Sequence, residues 1–327
     1  MRRMLGLGAC VVLGLAMLTG PNSSGLAQEY PTRPIHLIVP FAAGGGADAV
    51  ARVIAQRISG PLGQQVVVEN RGGAAAIVGT DFVAKAKPDG YTLLLGQSGP
   101  ISINPGVYKT LPYDAMSSFS PITLTTSYPY ILVVSSKFPV KSVHDLITLA
   151  KSKPGVLAYG SAGNGGANHL VTEMFNNLAG IQMVHVPYRG TAPAVMDVIG
   201  EQVTLVFSDP VSALPNVKAG TLRALAVTSK ARSPVAPDVP TISESGFAGF
   251  DAIGWHGILA PVGTPAPIIR KLHSEIVKAL QSPETRALLA TQALEPVGNT
   301  PEEFAAFIKD DIAKWSNVAK RAGVTEN

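Results

Sequence analysis

Tyr159-Gly160-Ser161-Ala162-Gly163-Asn164-Gly165-Gly166-Ala167-Asn168-His169-Leu170 is the stretch on which the reading of this chain turns. Val156-Leu157-Ala158-Tyr159 leads into it and reads as a short buried strand. Leu170, Val171, Met174 and Leu178 follow at helical spacing, and Gly180 is placed to stop that helix. The stretch is therefore a glycine-rich loop between a strand and a helix N-terminus. Such a loop leaves backbone N–H groups unpaired, with the positive end of the helix dipole behind them. That combination holds an anion without any charged side chain. A plain turn, in which the glycines only permit the bend, accounts for the same residues. Repetition of the device elsewhere in the chain favours the anion site.

The repeat lies near the start. Residues 35–39 form a near-continuous apolar strand, as expected for a parallel sheet buried on both faces. Pro40-Phe41-Ala42-Ala43-Gly44-Gly45-Gly46 is the loop, and Val50, Ala51, Ile54 and Ile58 are the buried stripe of the next helix. Asp48 falls in that helix's first turn, where a carboxylate favours the dipole; capping is its simplest role. Phe41 is either core or the apolar wall of a pocket. Further units follow: a strand at 66–68, a helix over 74–86, and a strand at 91–95. Ser98 comes just after that strand, at the end where open α/β sheets bind ligands. A turn-stabilising hydroxyl is the alternative for it.

A second series repeats the alternation. Strands are expected at 122–125, 130–134, 183–188, 203–207 and 222–227. Ser142 with Asp145 resembles a capping box, and the last third is helical over 267–280, 283–289 and 301–322. The result is an α/β chain with two βα-rich halves, each headed by a glycine-rich βα loop. Facing each other, they make a cleft with helix N-termini on both walls. The short irregular links at 126–129 and 249–254 are the expected crossings, where hinges absorb dihedral change. Trp255 follows the second link, placed either to report closure or to sit in core.

Composition narrows the function. The chain has 327 residues, room for two domains on a prior of about 150 each. Hydrophobic residues make up 46% and charged ones 15%, which suits a well-buried α/β protein. Arg2-Arg3, an apolar core over 5–18 and Gly25-Leu26-Ala27 read as a signal peptide at 1–27, cleaved after Ala27. Without Arg2 and Arg3, 24 Lys+Arg face 22 Asp+Glu, so the net charge is about +2. No basic run appears, which argues against nucleic acid. Cys10 is the single cysteine, so the processed chain has no thiol nucleophile, disulfide or thiolate ligand.

Enzyme motifs are missing. There is no G-x-x-x-x-G-K-[ST], and the glycines at 160, 163 and 165 do not fit G-x-G-x-x-G. Ser98 lacks the G-x-S-x-G elbow, because position 100 is proline. The six histidines stand singly, without metal spacing. His169 at a helix start reads as a structural hydrogen-bonding group, and His185 as packing. No catalytic residue, metal or cofactor is expected.

These residues carry a resemblance. Tyr30-Pro31-Thr32-Arg33-Pro34-Ile35, Pro40-Phe41 with Gly44-Gly45 and Asp48, and Asn70-Arg71 come first. Pro88-Asp89-Gly90-Tyr91-Thr92-Leu93-Leu94, the opening loop with His169-Leu170, and His185-Val186-Pro187-Tyr188-Arg189-Gly190 follow. Leu222-Arg223-Ala224-Leu225-Ala226-Val227, Val239-Pro240-Thr241, Ala260-Pro261 with Gly263-Thr264-Pro265, and Thr300-Pro301-Glu302-Glu303-Phe304 complete the series. In this order they resemble the Bug, or TctC-type, family of periplasmic solute-binding proteins of tripartite tricarboxylate transporters. The resemblance implies a two-lobed Venus-flytrap of the type II periplasmic binding-protein kind, with each lobe a βα sandwich. Its lobes would be 28–127 plus 252–327, and 128–251, closing on a small carboxylate between them.

Carried over, the ligand loops are Phe41, Ala42, Ala43, Gly44 and Gly45 in one lobe, and Ser161, Ala162, Asn164, Gly165 and Gly166 in the other. Tyr188, Ser208 and Asp209 stand on the rim, and Ser98 joins them from its strand end. The family pattern departs at Gly166, where serine is frequent, at Ser208, where an acidic or amide residue is frequent, and at Ala74-Ala75-Ala76, where glycines are. The implied role is a periplasmic monomer that hands a small organic carboxylate to membrane permease subunits. A sensor subunit feeding a receptor is the second reading, and an α/β enzyme a distant third.

Overall fold

The computed structural model describes residues 30–325. The expected signal peptide, its cleavage after Ala27 and Cys10 lie outside the described residues.

The chain begins with β1 (Ile35–Val39), α1 (Gly46–Leu62), β2 (Val66–Asn70), α2 (Ile77–Ala84) and β3 (Thr92–Gln97). β1 pairs in parallel with both β2 and β3, which explains its continuous apolar run. A wide helical turn at Ser98–Ile103 and the one-turn α3 (Asn104–Val107) follow, and β4 (Phe119–Pro129) crosses towards the second half. There β5 (Ile131–Ser135), α4 (Val143–Ser152), β6 (Ala158–Ser161), α5 (Ala167–Ala179), β7 (Val184–Pro187), α6 (Thr191–Ile199), β8 (Leu205–Ser208), α7 (Pro210–Lys218) and β9 (Leu222–Val227) build a second unit. The chain then returns through β10 (Ile253–Pro261), α8 (Ala266–Gln281), α9 (Pro283–Thr291), β11 (Glu295–Pro296) and α10 (Pro301–Ala322).

Two mixed sheets result. One has the order β11-β4-β10-β3-β1-β2 and the other β7-β6-β8-β5-β9. Helix ends follow their sequence signals. Ser142 Oγ accepts the Asp145 N–H, and Thr300 with Glu303 forms a full reciprocal cap. Gly180 ends α5 in the left-handed conformation at φ 62°. The buried stripe of α5 is Leu170, Val171, Phe175 and Ala179, so it is turned from the expected one; Leu178 is exposed.

One further expectation is corrected, and one strand, β10, is unexpected. Residues 126–129 are the end of β4 rather than an irregular link, and they pair with β10. β10 itself runs through the middle of its sheet, although its glycines hide it from a propensity reading. A Cβ on Gly254 would strike the Tyr128 ring, and one on Gly257 the Phe304 ring. These glycines let large rings lie on the strand. The crossings meet at Tyr130 and Ala252. Thr228 fastens them: its Oγ1 accepts the Tyr130 N–H at 2.7 Å and donates to the Ala252 carbonyl at 2.6 Å.

Each unit has its own core. Ile38, Leu94, Trp255, Leu259 and Phe304 lie in that of the six-stranded sheet. Ile131, Val133, Val195, Val206 and Leu214 lie in that of the five-stranded sheet. Trp255 is fully buried, and its Nε1–H donates to Asp311 Oδ2 at 2.8 Å.

Candidate functional site

The loops at the C-terminal ends of β1, β3, β6, β7 and β8 face one cavity between the two sheets. Phe41, Ala42, Ala43, Gly45, Gly46 and Ala47 line it from the first βα loop. Ala162, Gly166, Ala167 and Asn168 line it from the loop before α5, and Gly190, Thr191, Ala192 and Pro193 from the start of α6. Tyr128, Tyr130, Gln97 and Asp209 complete the polar lining. Its volume, counted as space for water centres, is about 50 Å³. One water needs about 10–15 Å³ on that measure, so the cavity admits a few waters or the polar end of a small ligand. A second cavity of about 280 Å³ adjoins it, sharing Phe41, Ala75 and Ala162 and adding Asn164, Tyr188 and Arg189.

Three helix N-termini end on the inner cavity, those of α1, α5 and α6. The first N–H groups of a helix have no partner within it, and here Gly46, Ala47, Ala167 and Asn168 sit at those positions. No Lys, Arg or His side chain lines the cavity. A positive wall is therefore made from backbone alone.

Not every loop N–H is available. The Gly44 N–H donates to Asp48 Oδ2 at 3.1 Å, and Arg52 pairs with the same carboxylate at 3.0 Å. Burial pushes the Asp48 pKa up. Its bonds from Arg52, Gly44 and Asn70 outweigh that and hold the group below the usual carboxylate range. Asp48 thus ties down the loop that carries Gly45. In the second loop the Gly163 N–H donates to Ser161 Oγ at 3.1 Å and the Gly165 N–H to His169 Nδ1 at 3.0 Å. Ser161 Oγ also bonds His185 Nε2 at 2.6 Å, and the two imidazoles stack with ring centres 3.9 Å apart. Burial lowers the His169 pKa to about 3 and the His185 pKa to about 4. Two neutral histidines thus brace the loop from behind.

The remaining expected residues fall into two groups. Phe41, Ala42, Ala43, Gly45, Ala162, Gly166 and Asp209 line the inner cavity, and Asn164 and Tyr188 the outer one. Tyr188 Oη donates to Asp197 Oδ2 at 2.7 Å, so its hydroxyl is held by α6. Gly44, Ser98, Ser161, Gly165 and Ser208 line neither cavity; Gly44 is exposed, and the other four are buried. Ser98 Oγ shares a 3.4 Å hydrogen bond with Tyr130 Oη. Gly165 is buried against the other unit: a Cβ there would lie 2.9 Å from Val107 Cγ1 and 3.0 Å from Tyr108 Cε2. Tyr108 Oη donates across the same contact to the Asn164 carbonyl at 2.9 Å.

The sequence reading missed Gln97, Tyr128, Tyr130, Asn168 and Thr191. Gln97 Nε2 meets Tyr128 Oη at 3.3 Å and His256 Nε2 at 2.9 Å, and the Tyr128 ring stacks on His256. Gln97 ends β3, and Tyr128 and His256 lie on the crossing strands β4 and β10, where strand pairing leaves no local motif to mark them. Ala74, Ala75 and Ala76 hold φ of 45°, 49° and 71°. Left-handed alanines each cost about 1–2 kcal/mol. Asn104 Nδ2 bonds the Ala75 carbonyl at 3.1 Å and helps hold this run against the cavity.

Comparison with known proteins gives one consistent result. The family description "Tripartite tricarboxylate transporter family receptor" matches residues 50–324. The periplasmic binding protein BugD is 38% identical, with a TM-score of 0.87 over 91% of this chain and 100% of its own. A Rhodopseudomonas palustris protein determined with adipate is 37% identical, with a TM-score of 0.88 over 90% and 99%. MatC from the same organism, with bound malate, is 32% identical, with a TM-score of 0.85 over 88% and 99%. The two-lobed periplasmic binding-protein fold is therefore the fold of this chain.

Proposed function

This chain belongs to the tripartite tricarboxylate transporter receptor family, a family of solute receptors and not of enzymes, and from that premise we propose that it captures a small organic carboxylate in the periplasm and delivers it to the membrane subunits of a tripartite tricarboxylate transporter. One observation carries the reading. Three helix N-termini end on a small cavity with no basic side chain. Neutral ligands gain little from such a wall, whereas an anion gains from each free N–H and dipole. The adipate and malate of the two similar structures support the same class.

In this reading the ligand carboxylate docks on the N–H groups of Gly45, Gly46 and Ala47 and of Ala167 and Asn168, while the Gly166 N–H is taken by the Gly163 carbonyl at 3.1 Å. Dipole effects are each worth roughly 0.3–2 kcal/mol, so several donors together reach micromolar affinity, about −8 kcal/mol. The lobes, 28–127 with 252–327 and 128–251, swing about Tyr130 and Ala252, where Thr228 joins the crossings. The leader at 1–27 directs export, and the mature protein acts as a monomer.

A thermal-shift screen over mono-, di- and tricarboxylates with their amides and esters tests the reading. A ligand at 100 times its Kd adds about 2.7 kcal/mol of stability. The acids are expected to raise Tm and the neutral forms to leave it unchanged. Equal shifts for esters and parent acids overturn the carboxylate site. Co-purification of a membrane subunit with the loaded protein tests delivery.

A further inference from the structure

Asp209 sits where an anion is least expected. It follows β8 and caps α7, its Oδ1 accepting the Ser212 N–H at 2.9 Å and its Oδ2 the Ser212 hydroxyl at 3.0 Å. A cap needs only a side-chain oxygen at the helix end. Yet this carboxyl group is only 6% exposed and lines the inner cavity. It also reaches the opposite unit: a Cβ on Gly46, in the first turn of α1, would lie 2.9 Å from Asp209 Oδ1. The absence of a side chain at Gly46 is what lets the carboxylate approach that helix end.

We propose that Asp209 selects the ligand, so that the cavity takes a carboxylate whose far end donates a hydrogen bond, an ammonium before a hydroxyl, and disfavours a chain ending in a second carboxylate. This rests on the carboxylate reading of the cavity. The ligand's own carboxylate takes the backbone donors, and no cationic side chain balances Asp209. A dicarboxylate would bring a second carboxylate to the wall that already carries Asp209, and carboxylates that share a site cannot all ionise freely. An ammonium or hydroxyl at the far end meets an acceptor instead, and an ammonium adds a positive charge to a carboxylate whose present partners, Ser212 and Thr191, are neutral. Tyr128 and Tyr130, the other titratable groups on this wall, are kept neutral by burial and add no charge. Burial also raises the Asp209 pKa, against the donors of Ser212 and Thr191, and a ligand cation would favour its ionised form.

The test is calorimetric titration of wild type and Asp209→Asn at pH 7.5 with three series of two to six carbons. The series are monocarboxylates, ω-amino acids and α,ω-dicarboxylates. Asparagine keeps the cap on α7 and removes the charge, and an unliganded melting curve verifies the fold. Asp209→Ser, which also caps, serves if the asparagine variant is unfolded. At the best chain length, wild type is expected to bind the amino acid at least tenfold tighter than the dicarboxylate. The variant is expected to lose at least tenfold for the amino acid and to gain for the dicarboxylate. A preference unchanged by the substitution, or a wild type that favours the dicarboxylate, overturns the role of Asp209 while leaving the carboxylate site standing. Failure of all three series on wild type overturns the carboxylate reading and this inference with it.

Discussion

Gly165→Ala separates the two reasons a binding loop can need glycine. Its backbone sits at φ 66°, and a Cβ in that region costs about 1–2 kcal/mol whatever surrounds it. The same Cβ would also lie 2.9 Å from Val107 and 3.0 Å from Tyr108, both on the other unit, about 0.5 Å inside ordinary contact. On the proposed hinge motion, only the closed arrangement of the cleft feels that second effect. Gly180→Ala supplies the control. It has nearly the same dihedral, φ 62°, and nothing within 4 Å of its Cβ. Both variants should lose about 1 kcal/mol or more of stability without ligand, seen as a lower Tm in a melting curve. Overpacking of this kind costs roughly 1–3 kcal/mol, which converts to about fivefold to 150-fold weaker binding. Calorimetric titration with a carboxylate found in the thermal-shift screen should show that loss for Gly165→Ala and none for Gly180→Ala. Equal affinities for the two variants would refute the argument, since Val107 and Tyr108 would then not gate closure.

Two further outcomes follow from buried groups. Burial lowers the pKa of His169 to about 3, His185 to about 4 and His256 to about 3. Unfolded imidazoles take up protons near pH 6.5, so each histidine removes stability as pH falls from there towards its folded value, by at most about 1.4 kcal/mol per pH unit. NMR of the ring protons should show all three neutral at pH 5; titration of His169 or His185 near 6.5 would contradict the bracing of the loop, and titration of His256 there its burial against Tyr128. Trp255 and Trp315 are fully buried in the six-stranded unit, so a saturating carboxylate should leave the emission maximum in place. A shift of several nanometres on ligand addition would place one of them at the moving cleft after all.

Much of this protein is legible in its amino-acid order, because the deciding signals are local. The run at 35–39 reads as a strand buried on both faces, and β1 is paired on both sides. Glycines between strand and helix mark both βα loops, since a helix N-terminus open to a ligand has to dispense with side chains. Thr300 with Glu303 fixes the start of α10 to the residue. What only the tertiary structure decided is which residues meet across the chain. Gly254 and Gly257 look like breakers until the rings of Tyr128 and Phe304 are packed on them. The Gly44 N–H counts as a free donor until Asp48 folds back on it. Asp209 reads only as a rim residue until the structure caps α7 with it and brings it to Gly46 of the first unit, some 160 residues away in sequence. Backbone conformation is set by neighbours in sequence and leaves its mark there, whereas the partner of a buried charge is set by how two sheets face each other.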